Sequence, residues 1–159
     1  MVRSMRPLLG AACATAMLAL NGCGLSIPAD PDGTLETVTG GVLEVGVSPS
    51  PPFTDLSGDE PTGSEVELVE SFAESIDAEV SWTEGGEEQL VEQLSSGELD
   101  LVIGGITEQT PWSGDAAPTR PYAETTEADG STTKHVMLTP MGENAFLSAL
   151  ERHLDEEAP

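Results

Sequence analysis

The side chains that most often bind metals are few in this sequence and stand apart from one another. His135 and His153 are its two histidines, and neither has a cysteine or a patterned carboxylate nearby in the sequence, as a zinc site would require. Asp55, Asp59 and Glu60 share one stretch, but their spacing differs from that of a calcium-binding loop. We therefore expect no metal site.

Catalytic motifs are missing from the sequence as well. We find no nucleophile elbow, no phosphate-binding loop and no zinc-binding helix motif. The two cysteines, Cys13 and Cys23, both precede the stretch with domain-like patterning, so catalysis by cysteine is excluded there. The expectation is a protein that is not an enzyme and needs no cofactor.

The N-terminus has the pattern of an export signal. Arg3 and Arg6 are the only charges before an apolar stretch at 8–20, which is too short to span a bilayer as a stable helix. Residues 20–23, with the sequence LNGC, resemble the lipobox of bacterial lipoproteins. That resemblance implies a signal peptide at 1–22 and acyl chains on Cys23, which would anchor the protein on the outer face of the cell membrane. The alternative is an ordinary secretory signal that happens to contain a cysteine.

The mature chain would be strongly acidic and free of disulfides. Cys13 would leave with the signal, so the fold must rest on its hydrophobic core. All 29 acidic residues follow Cys23, against Arg120, Lys134 and Arg152, so the formal side-chain charge there is −26. Such a surface repels nucleic acid and anionic lipid headgroups and attracts cations. It fits a solvated acidic face, which is the more common case, or a specific cation site.

The hydrophobic pattern predicts one α/β domain at 41–159, following a flexible tether at 23–40 that is rich in Gly, Pro, Asp and Thr. Ser64 and Glu67 form a capping box at the start of the first helix, and Gly97 can end the second in a left-handed conformation. Alternation of strand and helix predicts a mostly parallel sheet flanked by helices. Strands are predicted near 42–47, 78–82, 99–104 and 135–139, and helices near 65–76, 87–96 and 143–155.

An ordered set of segments resembles the N-terminal lobe of the family 3 extracellular solute-binding proteins, the amino-acid-type receptors of ABC importers. The segments are VLEVGVS at 42–48, PPFT at 51–54, PTGSEVEL at 61–68, LSSGELDLVIGGIT at 94–107 and RPY at 120–122. The resemblance implies one lobe of a type II periplasmic-binding-protein-like fold. In that family the chain next builds a second lobe, and here the polar loop predicted at 123–133 stands in its place.

The same resemblance places a ligand site. Gly105 and Thr107 fall where the family offers a backbone group and a hydroxyl to the ligand, and Phe53 falls where an aromatic ring covers its apolar part. Trp112 occupies the position of the arginine that binds the ligand's α-carboxylate by two parallel hydrogen bonds, and Glu87 replaces a frequent aromatic residue. The alternative for Phe53 and Trp112 is that they simply cover the end of the sheet.

These observations leave three hypotheses for an extracytoplasmic, membrane-anchored lipoprotein. It presents or senses a small polar or cationic solute for a membrane transporter, with Phe53, Gly105, Thr107 and Trp112 as ligand-binding residues. Alternatively, it is an adaptor that docks on the transporter without binding solute, because exposed aromatic residues mark partner sites. The third hypothesis is a decayed relative that has kept no ligand.

Overall fold

The structure is a computed structural model that describes residues 30–126 and 129–157. The predicted signal peptide, Cys23 and residues 23–29 of the predicted tether lie outside the described residues. Among the helices that are described, none combines the length and the apolar character needed to cross a membrane.

The elements follow an α/β order. The helices are α1 (Thr34–Val38), α2 (Ser64–Ser75), α3 (Glu87–Ser96) and α4 (Asn144–Glu157), with a 3-10 helix at Pro111–Gly114. The strands are β1 (Val42–Val47), β2 (Glu79–Glu84), β3 (Leu101–Ile103), β4 (Ala117–Pro118), β5 (Ala123–Thr126), β6 (Thr132–His135) and β7 (Leu138–Thr139). The predicted α/β lobe is confirmed, and helix α3 has the predicted bounds.

A five-stranded sheet in the order β2-β1-β3-β7-β4 forms the centre of the lobe. Strand β1 pairs in parallel with β2 and β3, whereas β7 runs antiparallel to both β3 and β4. The sheet is therefore mixed: its longer pairings, those of β1, are parallel as predicted, and the short pairings of β7 are antiparallel. The single strand predicted at 135–139 is two short strands, because β6 pairs with β5 outside this sheet and only β7 joins it.

The core lies on both faces of the sheet. One face packs Val45, Val47 and Ile103 against α2 and α4, and Val102 on the other face packs against α3. Gly46 in β1 permits close packing on this second face of the sheet, because a Cβ atom at position 46 would lie 2.8 Å from Leu99 Cδ1. These layers fix the C-terminal ends of β1 and β3 side by side at one edge.

Helix α2 does not begin with the predicted capping box. Its N-cap is Gly63, and no side chain caps it. The amides of Ser64 and Glu65 instead donate to the carbonyl oxygens of Pro52 and Phe53. The loop after β1 thus supplies the carbonyl acceptors for the first amides of α2, and the same hydrogen bonds hold this loop against the helix. The prediction for Gly97 is confirmed, as its φ of 78° ends α3 in the left-handed region.

Residues 30–40, predicted to be the second half of a flexible tether, pack against the lobe. Val38 in α1 is fully buried. Asp30 Oδ1 accepts hydrogen bonds from the amides of Ala145 and Phe146 at the start of α4, and the buried Glu143 accepts from the amide of Thr34 at 3.0 Å. The prediction failed because it rested on local composition, whereas the partners of this segment lie more than a hundred positions away.

The polar stretch predicted as a loop at 123–133 forms a hairpin of β5 and β6. Thr125 pairs with Thr133, and Thr126 pairs with Thr132. Threonine is a β-branched residue that fits a strand even when the segment is polar, which is why polarity alone gave the wrong prediction. The hairpin lies between Tyr122 and strand β7 in the chain.

Candidate functional site

A buried carboxylate stands at the edge where β1 and β3 end. Glu65, in the first turn of α2, is 0% exposed. Its Oε2 accepts the amides of Gly104 and Gly105 at 2.8 and 2.9 Å, and its Oε1 accepts the hydroxyl of Tyr122. One side chain therefore connects the helix start, the turn after β3 and the segment leading into the hairpin.

The surroundings raise the pKa of both Glu65 and Tyr122. Burial raises the pKa of Glu65, and the hydrogen bonds from Tyr122 and the two amides, together with the charge of His135, oppose that rise only in part. Burial, followed by the charge of Glu65, raises the pKa of Tyr122 far above its usual range. Tyr122 therefore stays a hydrogen-bond donor to Glu65.

The turn that Glu65 holds requires glycine at both positions. Gly104 and Gly105 have φ angles of 153° and 64°, which side chains rarely adopt. A Cβ atom on Gly104 would collide with Ser48, and one on Gly105 would collide with Ser50 and lie 2.9 Å from Phe53 Cδ2. The close approach brings the turn after β3 against the loop after β1.

His135 lies at the centre of the same edge. It is 4% exposed, and its ring packs against that of Phe53 with 4.2 Å between ring centroids and 37° between the ring planes. Its Nε2 lies 3.0 Å from Thr125 Oγ1, and its Nδ1 lies 3.3 Å from the carbonyl oxygen of Gly105. Its backbone forms a β-bridge with Thr107. The last strand of the hairpin thus supports the residues predicted to contact a ligand.

Three of the four predicted ligand-binding residues are brought together. Phe53 and Gly105 are in contact, and Thr107 reaches them through its bridge to His135. The amide of Gly105 already donates to Glu65, so the backbone group left for a ligand there is its carbonyl oxygen, which has a second lone pair. These residues remain ligand-binding candidates.

Trp112 makes a different set of contacts. It lies in the 3-10 helix, packs against the core cluster under α3, and donates from Nε1 to Glu87 Oε2 at 3.1 Å. Trp112, which the resemblance places at the arginine position, therefore forms a hydrogen bond with Glu87, which it places at the position of the frequent aromatic residue. Neither offers a positive charge to a carboxylate.

Within residues 30–126 and 129–157, no group of three or more His, Cys, Asp or Glu side chains lies together as a metal site would require. His153 instead packs its ring 5.6 Å from that of Phe72.

The sequence alone did not identify Glu65 as part of the site, and it assigned no role in the site to Tyr122 or His135. A signal for Glu65 was present, because positions 65, 69 and 72 fall on one helical face and the other two are Val69 and Phe72. A carboxylate on an apolar stripe indicates a buried acceptor with partners to find. The sequence contains no comparable signal for His135, whose partners come from three separate segments.

Comparison with protein-family profiles identifies one family. The profile of the bacterial extracellular solute-binding proteins, family 3, matches residues 43–156. No curated protein sequence matches the chain.

The fold is similar to several solved structures, all below 25% identity, so the likeness concerns the fold alone. The arginine-bound form of domain 1 from TmArgBP has a TM-score of 0.65 and 22% identity, with 80% of this chain and 99% of that chain covered. A Salmonella typhimurium periplasmic binding protein studied for its high arginine specificity has a TM-score of 0.62 and 12% identity, with 72% and 92% covered. The L-cystine solute receptor of Neisseria gonorrhoeae, in its unliganded open conformation, has a TM-score of 0.61 and 13% identity, with 79% and 89% covered.

Proposed function

Because the chain belongs to the family 3 bacterial extracellular solute-binding proteins, we propose that it is a non-enzymatic lipoprotein that binds a small cationic solute weakly. Lipid on Cys23 holds it outside the cell membrane, where it presents or senses that solute for an ABC-type membrane transporter. The binding residues are Phe53, Gly105 and Thr107, with Trp112 as a further candidate.

The observation that carries the proposal is the cluster at the ends of β1 and β3. Phe53 from the loop after β1, and Gly105 and Thr107 from the turn after β3, meet around His135. In sheets of this type, ligands bind outside the carboxyl ends of parallel strands. An aromatic ring, a carbonyl oxygen and a hydroxyl can together hold a cation through its apolar body and its N–H groups.

A cation is favoured because the site lacks a partner for a carboxylate. Trp112 is neutral, and Glu87 beside it is an acceptor. The charge after Cys23, −26 on the side chains, also attracts cations. The arginine-bound form of domain 1 from TmArgBP supports the idea that one lobe of this fold can hold a cationic ligand. Because the described residues form one lobe, which covers a ligand from one side only, binding should be roughly millimolar or weaker.

The proposal is tested by calorimetry of the full chain with L-arginine and with agmatine, which is arginine without its carboxylate. If no group pairs with the carboxylate, agmatine should bind at least as tightly as arginine, and both should be roughly millimolar. Thr107→Val should weaken binding of both, while Thr83→Val, on the edge strand β2, serves as the control. A micromolar isotherm for arginine, or a clear preference for arginine over agmatine, would contradict the proposal.

The second candidate is an adaptor that docks on the transporter through this edge. The partly exposed aromatic side chains of Phe53 and Trp112 favour it. A membrane partner retained by the native chain and lost by the Phe53→Ala, Trp112→Ala double variant would support docking. If that variant loses the partner but keeps its weak cation binding, the cation does not bind through Phe53 or Trp112. Docking on the partner would then be the function of this edge. If neither chain captures a partner and no cation binds, the third hypothesis, a decayed relative, remains.

A further inference from the structure

A groove lies beside the hairpin, and neither Thr107 nor Trp112 lines it. It encloses about 490 Å³ between α2, strand β5 and the C-terminal end of α4. Phe53, Leu68 and Tyr122 supply its apolar surface, while Ser64 and Ser71 of α2 add hydroxyl groups. Its volume is within the range of small-molecule sites.

The rim of this groove carries one sign of charge. Glu67, Glu124 and Glu157 line it, all three are exposed, and no Lys or Arg lines it among the described residues. Lys134 is directly opposite Glu124 in the hairpin register and offsets part of that charge. Two or more carboxylates around an aromatic surface repel each other unless a cation lies between them.

We propose that this groove binds a small organic cation with an apolar body, such as an arylalkyl ammonium ion. The apolar part lies against Phe53, Leu68 and Tyr122, where it is removed from water. The ammonium group lies at the rim, where Glu67 and Glu124 accept its hydrogen bonds. Aromatic rings favour the same ligand class, because a cation is attracted to the face of a ring.

This site is distinct from the proposed solute site, although Phe53 borders both. Thr125 also lines the groove and contacts His135, but Gly105, Thr107 and His135 themselves do not line it, and its other walls come from α2 and the end of α4. Binding in the groove therefore does not depend on the proposed function, and the two can succeed or fail separately.

The test is an NMR titration of the full chain, labelled with nitrogen-15, with phenethylammonium as the probe. The neutral 2-phenylethanol and the anionic phenylacetate serve as matched ligands. We expect amide shifts along α2 and β5, and affinity for the ammonium ion at least about tenfold above that for the alcohol. The double variant Glu67→Gln, Glu124→Gln should lose about tenfold in affinity. Glu88→Gln, Glu92→Gln on α3, with the same change of net charge, should lose much less.

Several results would overturn the proposal. If the neutral alcohol causes the same amide shifts as the ammonium ion, the rim carboxylates do not contribute to binding. If both double variants lose the same affinity, the effect comes from net charge and not from Glu67 and Glu124. Shifts centred on Thr107 and Trp112 would move the ligand to the other site. Shifts in α2 that appear on raising the protein concentration alone would make a second copy of the chain the occupant.

Discussion

The hydroxyl of Tyr122 donates to Oε1 of Glu65, while Oε2 of the same carboxylate accepts two backbone amides from the turn after β3. A carboxylate with three donors is satisfied although it is fully buried. Tyr122 immediately precedes β5, so the bond also ties the base of the hairpin to the helix start. Glu65 and Tyr122 therefore position the edge at which the ligand-binding candidates meet.

The burial of Glu65 predicts a pH dependence of stability. Its folded-state pKa is raised above the ordinary value of 4.5, so the folded state holds the proton more tightly than the unfolded state. The stability that this gives is fully present below about pH 4.5 and is lost as the pH rises through the folded-state pKa. Glu65→Gln removes the titration. The unfolding free energy of the native chain minus that of the variant should therefore fall as the pH rises above 4.5, in urea titrations at several pH values.

Tyr122→Phe is the companion change for that measurement. It removes a donor that lowers the pKa of Glu65, so the pH window should move upward. At neutral pH the loss of this bond to a buried carboxylate should cost about 1–3 kcal/mol. A pH dependence that is the same in the native chain and in both variants would contradict the role of Glu65.

Gly105→Ala should destabilise the lobe by about 1–3 kcal/mol or more. The φ of 64° is strained for alanine, and the added Cβ collides with Ser50 and presses on Phe53. Gly114→Ala is the matched control, because nothing lies within 4 Å of its Cβ position, and it should change stability by less than about 0.5 kcal/mol. Urea unfolding measures both, and equal effects at the two positions would mean that the turn is not constrained as described.

Asp30→Ala should cost about 1–2 kcal/mol, since Asp30 Oδ1 accepts the amides of Ala145 and Phe146 at the start of α4 and Oδ2 accepts that of Leu35. A negative charge at a helix N-terminus adds to this through the helix dipole. Asp59→Ala, in an exposed loop, is the control for the loss of one charge. Thermal unfolding of the two variants should separate them, and indistinguishable midpoints would mean that residues 30–40 are not part of the cooperative unit.

The sequence predicted those parts of the fold that depend on local pattern. Helix α3 and its end at Gly97 followed from apolar spacing and one glycine. The failures share a physical cause, because their decisive partners are distant in the sequence. The local sequence around Asp30 is typical of a tether, but Asp30 accepts an amide at the start of α4. The Thr-rich segments are polar like a loop, but they form strands because they pair with each other. In the site, Phe53 and Gly105 came from resemblance, but the role of His135 depends on contacts with Phe53, Gly105 and Thr125.

Lipidation at Cys23 predicts the distribution of the protein between fractions. Cys23→Ser should release the chain from the membrane fraction of a bacterial host that processes lipoproteins, because several acyl chains give durable anchoring that is then lost. Cys13→Ser, within the predicted signal, should leave the protein in the membrane fraction. If the Cys23→Ser protein stays with the membrane after a salt wash, Cys23 is not the anchor.

The pair of Trp112 and Glu87 predicts how carboxylate recognition could be restored. Trp112→Arg places a guanidinium at the position that the resemblance assigns to the arginine that binds the α-carboxylate. Glu87→Gln removes a carboxylate that would compete for this guanidinium, since Glu87 accepts from Trp112 Nε1 at 3.1 Å. A charge-assisted contact is worth about 1.5–3 kcal/mol, and each 1.4 kcal/mol is about tenfold in affinity. The double variant should therefore bind arginine at least about tenfold more tightly than agmatine in calorimetry, whereas the native chain should not. Glu87→Gln alone is the control and should show no such preference. If the double variant also fails to prefer arginine, the proposed site does not hold the ligand's carboxylate near position 112.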